Sequence, residues 1–319
     1  MSAVPRISIG MPLYNAAAYL EGALDSLLAQ SEPDFELFIS DNASTDTTED
    51  ICRAYAKRDP RIRYTRNAEN IGAAANFNRV FQETRAPYFL WAAFDDGWHP
   101  DFLRETAAVL DAKPEASMAS TGIVFIDEDG NPVPRADDHQ NFGTEGLSAK
   151  DALKTLLLRG GWYGAYSLMW RRHLAATPLF QAVPGADAVL QLAMLLQGDV
   201  VLVPEPLFYY RVFQKKSPAA QAATIGNPKD AKAVIKFIQI PMLLVMVELL
   251  RTSPFVAEGE RAKLIKTLFK TLRGHKIWYR RLRDEIVPYL MAPAMPQRGL
   301  VARELLVLKI YPLRKLLVR

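Results

Sequence analysis

Two periods of apolar residues alternate from Arg6 to Ile126. Short β-branched or aromatic runs recur, and stretches with helical spacing separate them. Arg6–Gly10 (RISIG) reads as a first strand, with MPLYN following at Met11–Asn15. Ala16–Gln30 then has helical spacing, which puts Ala17, Leu20, Ala23, Leu24, Leu27 and Leu28 on one face. Phe35–Ser40 (FELFIS) predicts a second strand. It ends in the polar run Asp41–Asp46, where Ser44 or Thr45 can cap a helix carrying Ile51, Ala54 and Tyr55. Ile62–Thr65 is a third strand, and after the turn-rich Arg66–Gly72 an Ala-rich helix runs to about Thr84. Tyr88–Ala93 is a fourth strand that stops at Asp95 and Asp96. Gly97 reads as a sharp turn, and His99-Pro100-Asp101 opens a helix reaching Leu110. Ala116–Ile126 predicts a fifth strand before the turn Asp127–Asn131.

This alternation predicts βαβ units, hence an α/β fold with a mostly parallel, Rossmann-like sheet flanked by helices. In such a sheet the ligand crevice lies beyond the carboxyl ends of the strands. The polar clusters fall there: Tyr14-Asn15, Asp41–Asp46, Asn67–Gly72 and Asp95-Asp96 follow successive strands and should meet on one rim. The first loop lacks GxGxxG, and GxxxxGK[ST] occurs nowhere, which disfavours a nicotinamide dehydrogenase and a P-loop nucleotidase. The residues suit a nucleotide held differently. Tyr14 can contact a base, Asp41 can accept from a base N–H or a ribose hydroxyl, and Asp95-Asp96 can hold a divalent cation against a diphosphate. Two adjacent carboxylates need such a cation or several donors to stay ionised together. Hard oxygen ligands with substrate phosphates are the usual setting of Mg²⁺ or Mn²⁺.

At 319 residues the chain can bury an α/β core and still build a second lobe. One cysteine, Cys52, excludes an internal disulfide and any cysteine metal spacing, and it points to a reducing compartment. No signal-peptide pattern is visible in MSAVPRISIG. The longest apolar stretch, Phe237–Leu250, is interrupted by Pro241 and Glu248 and reads as a buried helix rather than a span. Charge is uneven: from Arg251 onward there are 16 Lys/Arg against 5 Asp/Glu, and before it 23 against 30. Lys263–Arg283 is basic and amphipathic, with Leu264, Leu268, Leu272 and Trp278 set against Lys and Arg, and Leu305–Arg319 repeats the mixture. Its default role is a solvated face packed on the rest of the protein. An anionic membrane surface is the competing partner, and no nucleic-acid motif accompanies the charge. His99 reads as a helix-start residue or a metal ligand, and His139, His173 and His275 as surface residues. The glycine-flanked aromatics of Gly160–Tyr166 suit either a sugar-stacking wall, with Trp162 and Tyr163 toward an acceptor, or core packing.

MPLYN, SDNASTDTT, RNAENIGAAANFN and a DD segment followed by W-x-P occur in that order. Together they resemble the family 2 glycosyltransferases, inverting enzymes of the A-type glycosyltransferase fold that use nucleotide-diphosphate sugars. The resemblance covers roughly Pro5–Leu110 closely and continues more loosely to about Arg211. It implies a catalytic domain over 1–217, with a nucleotide-sugar half to about 126 and an acceptor half after it, and a helical basic extension over 218–319. It also implies that Pro12, Tyr14 and Asn15 line the nucleotide pocket and that Asp41 binds a uracil or thymine ring. Ser44, Asn70, Gly72 and Asn76 would lie along nucleotide and sugar, with Asp95, and less firmly Asp96, on a Mg or Mn ion. The family's Asp-x-Asp has Ala93 in its first place here. Gly185–Leu190 resembles the family's ED segment, which makes Asp187 the base, with Ala186 in place of the preceding acid. Glu205–Arg211 resembles the closing segment, with Phe213 where the family has a His, so that Lys215, Lys216 or Ser217 could approach the diphosphate. The implied activity is transfer from a UDP- or dTDP-linked sugar to a saccharide or lipid-linked acceptor in bacterial surface-glycan synthesis. It would take place in the cytoplasm, at the inner face of the cell membrane. A nucleotidyltransferase is one alternative, although it would want a Gly-rich basic first loop. A non-catalytic nucleotide- or membrane-binding scaffold is the other, motivated by Ala93, Ala186 and Phe213.

Overall fold

A computed structural model describes residues 4–134, 140–159, 162–213 and 239–274, with 280, 282, 284 and 285. The strands are β1 (Ile7–Leu13), β2 (Phe35–Asp41), β3 (Ile62–Arg66), β4 (Tyr88–Trp91), β5 (Gly97–Trp98), β6 (Met118–Ile126), β7 (Leu168–Trp170) and β8 (Val200–Arg211). The helices are α1 (Leu20–Leu28), α2 (Thr48–Arg58), α3 (Ala73–Gln82), α4 (Phe102–Ala112), α5 (Ala149–Arg159), α6 (Arg171–Ala175), α7 (Ala186–Leu195), α8 (Gln239–Thr252) and α9 (Glu258–Gly274). A 3₁₀ turn spans Trp162–Tyr166.

All eight strands form one sheet in the order β3-β2-β1-β4-β7-β6-β8-β5. The pairs β3-β2, β2-β1 and β1-β4 are parallel, as the βαβ reading expects. Every residue of β1 is buried, because helices cover both faces of a parallel sheet. The sheet is mixed further on: β7 runs antiparallel between β4 and β6, while β6 and β8 are parallel with a register break around Gly122. The alternation up to Ile126 therefore predicts the first half of the sheet. The later strands β7 and β8 come from the chain beyond it.

One turn becomes a strand. Gly97 and Trp98 pair antiparallel with Tyr209 and Phe208 of β8, where Gly97 was expected to turn sharply. The Trp98 ring is buried and lies 5.7 Å from the Phe208 ring, and seating it outweighs the turn preference of glycine. Helix α4 follows at Phe102 with Asp101 as its N-cap residue. His99 Nδ1 accepts from the Asp101 N–H at 3.2 Å, so His99 serves the helix start.

Three apolar cores result. One joins α1, α2 and α4 to the sheet, and a second lies on the opposite face around Phe38, Phe89, Trp91 and Met169. The third packs α8 and α9 against α5 and α7 through Leu156, Val189, Leu192, Met246, Leu250 and Leu268. Phe237–Leu250 was read as a buried helix, and α8 is one over its described part. His173 departs from its surface reading: Nε2 is buried with no hydrogen-bond partner, and burial lowers its pKa. Cys52 is buried on α2, and desolvation pushes its thiol up to about 12, which leaves it inert. His139, His275, Trp278, Lys215, Lys216, Ser217 and Leu305–Arg319 lie outside the described residues.

Candidate active site

The carboxyl ends of β1, β2 and β3 and the start of α3 are knitted together by their own side chains. Asn15 and Ala43 hold left-handed backbone at φ 51° and 61°. Such conformations persist where the surroundings over-determine them, and here they do. The Asn15 N–H donates to Ser44 Oγ at 2.9 Å, and the Thr45 N–H donates to Asn15 Oδ1 at 2.8 Å. Asp41 is fully buried and accepts from the Ser44 N–H at 2.8 Å, Tyr64 Oη at 2.8 Å and Arg66 Nη1 at 3.0 Å. Burial and this bond to Asp41 push the Tyr64 hydroxyl pKa up. Asn42 joins the next loop by donating to Asn70 Oδ1 at 2.9 Å and accepting from Asn67 Nδ2 at 2.9 Å. Gly72, at φ 85°, turns the chain into α3, and its N–H donates to Asn70 Oδ1 at 2.9 Å. Asn76 is buried, accepts from Ser40 Oγ at 2.7 Å and donates to the Ser40 carbonyl at 2.9 Å. Pro12 is buried in β1 opposite Ser40, whereas Tyr14 is 40% exposed. The structure thus brings Asn15, Asp41, Ser44, Asn70, Gly72 and Asn76 into one network, with Tyr14 as its exposed aromatic.

Asp95 and Asp96 follow β4. Asp95 is half-buried and Asp96 buried. Arg211, at the end of β8, fixes this segment. Its N–H donates to Asp96 Oδ1 at 2.9 Å, and its Nε donates to the Asp95 carbonyl at 2.8 Å. Nη1 reaches the carbonyls of Asp127 at 2.7 Å and Glu128 at 2.9 Å, and the guanidinium lies 4.7 Å from the Tyr19 ring. Sequence reasoning quoted Arg211 without giving it a role. The available signal was an arginine ending a strand whose alternate positions are apolar. Phe213 packs edge-on against Tyr19 at 5.5 Å, an apolar contact where the resemblance would have placed a His ligand.

Asp187 enters from the other half of the sheet. It lies in the first turn of α7 behind Gly185, whose φ of 72° a side chain would resist. Its Oδ1 accepts from the Ala188 N–H at 2.9 Å, and burial pushes its carboxyl up to about 6. Two tyrosines connect it with the aspartate pair. Burial raises the hydroxyl pKa of Tyr166 and of Tyr210, and the charges of Asp96, Asp95 and Asp187 all raise both further. The three carboxylates therefore lie within electrostatic reach of the same two phenols. Tyr163 packs edge-on against Tyr210 at 4.6 Å and Phe125 at 5.5 Å, which draws the acceptor-side candidate into this cluster. Trp162 opens the same 3₁₀ turn. One turn after Asp187, Gln191 is buried and its Nε2 has no hydrogen-bond partner among the described residues. A Cβ at Gly164 would lie 2.6 Å from Gln191 Oε1, so the amide needs that glycine.

Among the described residues no cluster of three or more metal-ligating His, Cys, Asp or Glu side chains occurs. Two adjacent carboxylates, one of them already accepting from a main-chain N–H, still match the way Mg²⁺ is usually held, through one or two carboxylates plus substrate phosphates.

A mixed α/β sheet with a polar rim at the carboxyl ends of its parallel strands is a ligand-binding fold whose crevice lies beyond that edge. The profile of Glycosyl transferase family 2 matches residues 8–174, more than half of the chain, and the chain belongs to that family. It is 33% identical over 154 residues to TuaG of Bacillus subtilis (strain 168), named as a glycosyltransferase of teichuronic acid biosynthesis; the match covers 48% of this chain and 59% of TuaG. The chain thus spans less than two thirds of that relative's length. Among solved structures, S. aureus TarS 1-349 in complex with UDP-GlcNAc superposes with a TM-score of 0.65 at 16% identity, covering 96% of this chain and 88% of TarS. The mannosyltransferase PcManGT from Pyrobaculum calidifontis, in complex with GDP-Man and Mn²⁺, superposes with a TM-score of 0.58 at 16% identity, covering 98% and 83%. At such identities the likeness concerns the fold, and it extends over both halves of the sheet.

Proposed function

We propose that the protein is an inverting glycosyltransferase that moves a sugar from a nucleotide-diphosphate donor to a hydroxyl of a saccharide or lipid-linked acceptor in surface-glycan synthesis. One observation carries this reading: Asp187, its carboxyl pushed up to about 6, and the Asp95-Asp96 pair act by their charges on the same two tyrosines, Tyr166 and Tyr210. A base poised just below neutral pH is ionised in use yet accepts a proton readily. Asp187 takes the proton of the acceptor hydroxyl, whose oxygen bonds to the anomeric carbon. The bond from that carbon to the donor's diphosphate breaks on the opposite face, so the configuration inverts and the nucleoside diphosphate leaves. Tyr14 and the Asn15–Ser44–Asp41 network hold the base and ribose, while Asn70 and Gly72 border the sugar. Asp95 and Asp96 would hold a Mg or Mn ion, which offsets charge on the departing diphosphate. Tyr163 and Trp162 form the acceptor wall. The UDP-GlcNAc complex of the fold neighbour TarS supports a uridine or thymidine donor, and the GDP-Man complex of PcManGT makes a guanosine donor the one to test against it. No helix among the described residues is long and apolar enough to cross a membrane, so contact with a lipid-linked acceptor would be peripheral.

Calorimetry with UDP, dTDP, GDP and CDP, with and without Mn²⁺, should give metal-assisted binding of one nucleotide that Asp95→Asn weakens. Asp187→Asn should leave that binding intact and lower turnover by about a thousandfold. A second reading, a nucleotide-binding scaffold, is favoured by Ala93 and Phe213 at places where the family has ligands. Equal turnover by wild type and Asp187→Asn would remove Asp187 as the base, and no nucleotide binding at all would favour the membrane-binding form of the scaffold.

A further inference from the structure

Helix α9 carries a line of charge that sugar transfer does not use. At the α-helical pitch, Lys263, Lys266, Lys270 and Arg273 fall within an arc of about 80°, running about 15 Å along the axis. All four are exposed. Leu264, Leu268 and Leu272 on the opposite side are buried in the core shared with α5, α7 and α8. The acids of α9, Glu258 and Glu260, lie in its first turn and off that arc. Lys263 pairs with Glu260 at 2.6 Å, whereas Lys266, Lys270 and Arg273 make no ion pair among the described residues. Helix α5, packed beside α9, adds Lys150 and Lys154, the latter paired with Asp151 at 2.8 Å. The same helix pair leaves two large apolar side chains exposed: Phe255, 49% exposed in the turn before α9, and Leu158, 53% exposed near the end of α5.

The geometry points to the outer face of α9 as the docking surface for an anionic lipid bilayer. It deepens the peripheral contact proposed above and rests on that reading for its purpose, though not for its physics. A straight row of four cations at helical spacing, three of them in no ion pair among the described residues, matches a plane of phosphate headgroups, and each lysine or arginine near such a surface adds to the attraction. A polynucleotide would want aromatic platforms interleaved with the charge, and the arc on α9 contains none. Attachment of this kind is reversible and weakened by salt.

The test is co-sedimentation of the full chain with phosphatidylcholine vesicles, with and without phosphatidylglycerol, in the absence of any sugar nucleotide. Binding should require phosphatidylglycerol and fall about tenfold or more in about 0.5 M salt. Lys266→Glu/Lys270→Glu should bind at least about tenfold more weakly, while Lys266→Arg/Lys270→Arg should bind as wild type does. Nucleotide calorimetry on the charge-reversed variant should be unchanged, which shows that it is folded. Equal binding to both vesicle types, no binding at low salt, or undiminished binding by the charge-reversed variant would overturn the proposal. So would displacement from the vesicles by polyuridylate bound more tightly than the lipid. Because the assay contains no donor, loss of the sugar-transfer reading leaves its result standing.

Discussion

The halves of the site that we propose as donor side and acceptor side satisfy their polar groups in opposite ways. On the donor side, the network from Asn15 through Asp41 to Asn76 is closed by its own hydrogen bonds. On the acceptor side, Asp187 receives a main-chain N–H next to it, and the nearby Gln191 Nε2 is buried without a hydrogen-bond partner among the described residues. A closed network is rigid before anything binds, and rigidity of this kind holds loops with left-handed Asn15 and Ala43 in one shape. An open one keeps a carboxyl at about 6 because desolvation outweighs the main-chain N–H bonds that stabilise its charge. Recognition of a fixed nucleotide suits the first arrangement, and proton transfer suits the second.

If the donor side is a closed network, opening it should cost the most. Asn76→Ala removes the acceptor of Ser40 Oγ and the donor to the Ser40 carbonyl, inside the protein. We expect a loss of about 3 kcal/mol in denaturant unfolding, with nucleotide affinity falling as the loops loosen. Unchanged stability would mean that the loops are held from elsewhere. On the acceptor side the sign reverses. The Asp187 carboxyl lies above its ordinary range in the folded protein, so the folded state binds the proton more tightly than the unfolded chain does. Stability from this group therefore rises as pH falls from above about 6 toward the ordinary carboxylate range. Asp187→Asn should accordingly raise stability at pH 7 by up to about 2 kcal/mol and flatten that pH dependence. In the wild type, turnover should fall below about pH 6 as Asp187 takes up its proton. A variant less stable at pH 7 would contradict the open-site picture. The smallest effect belongs to Gly164→Ala, which presses on the Gln191 amide. It should cost about 1 kcal/mol and lower turnover while leaving nucleotide binding as it was, which separates the two halves kinetically.

The donor half was legible because it is local. Each strand and the polar loop after it lie together in sequence, so hydrophobic period and loop chemistry alone place Tyr14, Asp41 and Asp95 at one edge. The acceptor half was not, because its elements answer to distant partners. Gly97-Trp98 becomes a strand only against Tyr209 and Phe208, and Arg211 finds its role only across the gap to Asp95 and Asp127. Asp187 was named through resemblance, and its spacing alone suits an ordinary helix start. Asn42 stood in the polar run Asp41–Asp46 without a role of its own and Gln191 had no signal at all, since the partners of a buried amide are visible only once its neighbours are known.

The helix that presents Asp187 also forms one wall of the core under α8 and α9, through Val189 and Leu192. The segment that would choose an acceptor is therefore welded to the segment that carries the cationic face. A chimera made by exchanging α7 alone would strand those apolar side chains against foreign neighbours. Leu190 and Met194 of the same helix reach the core around Trp91, so α7 could be exchanged only together with the sheet and the helix pair that it joins.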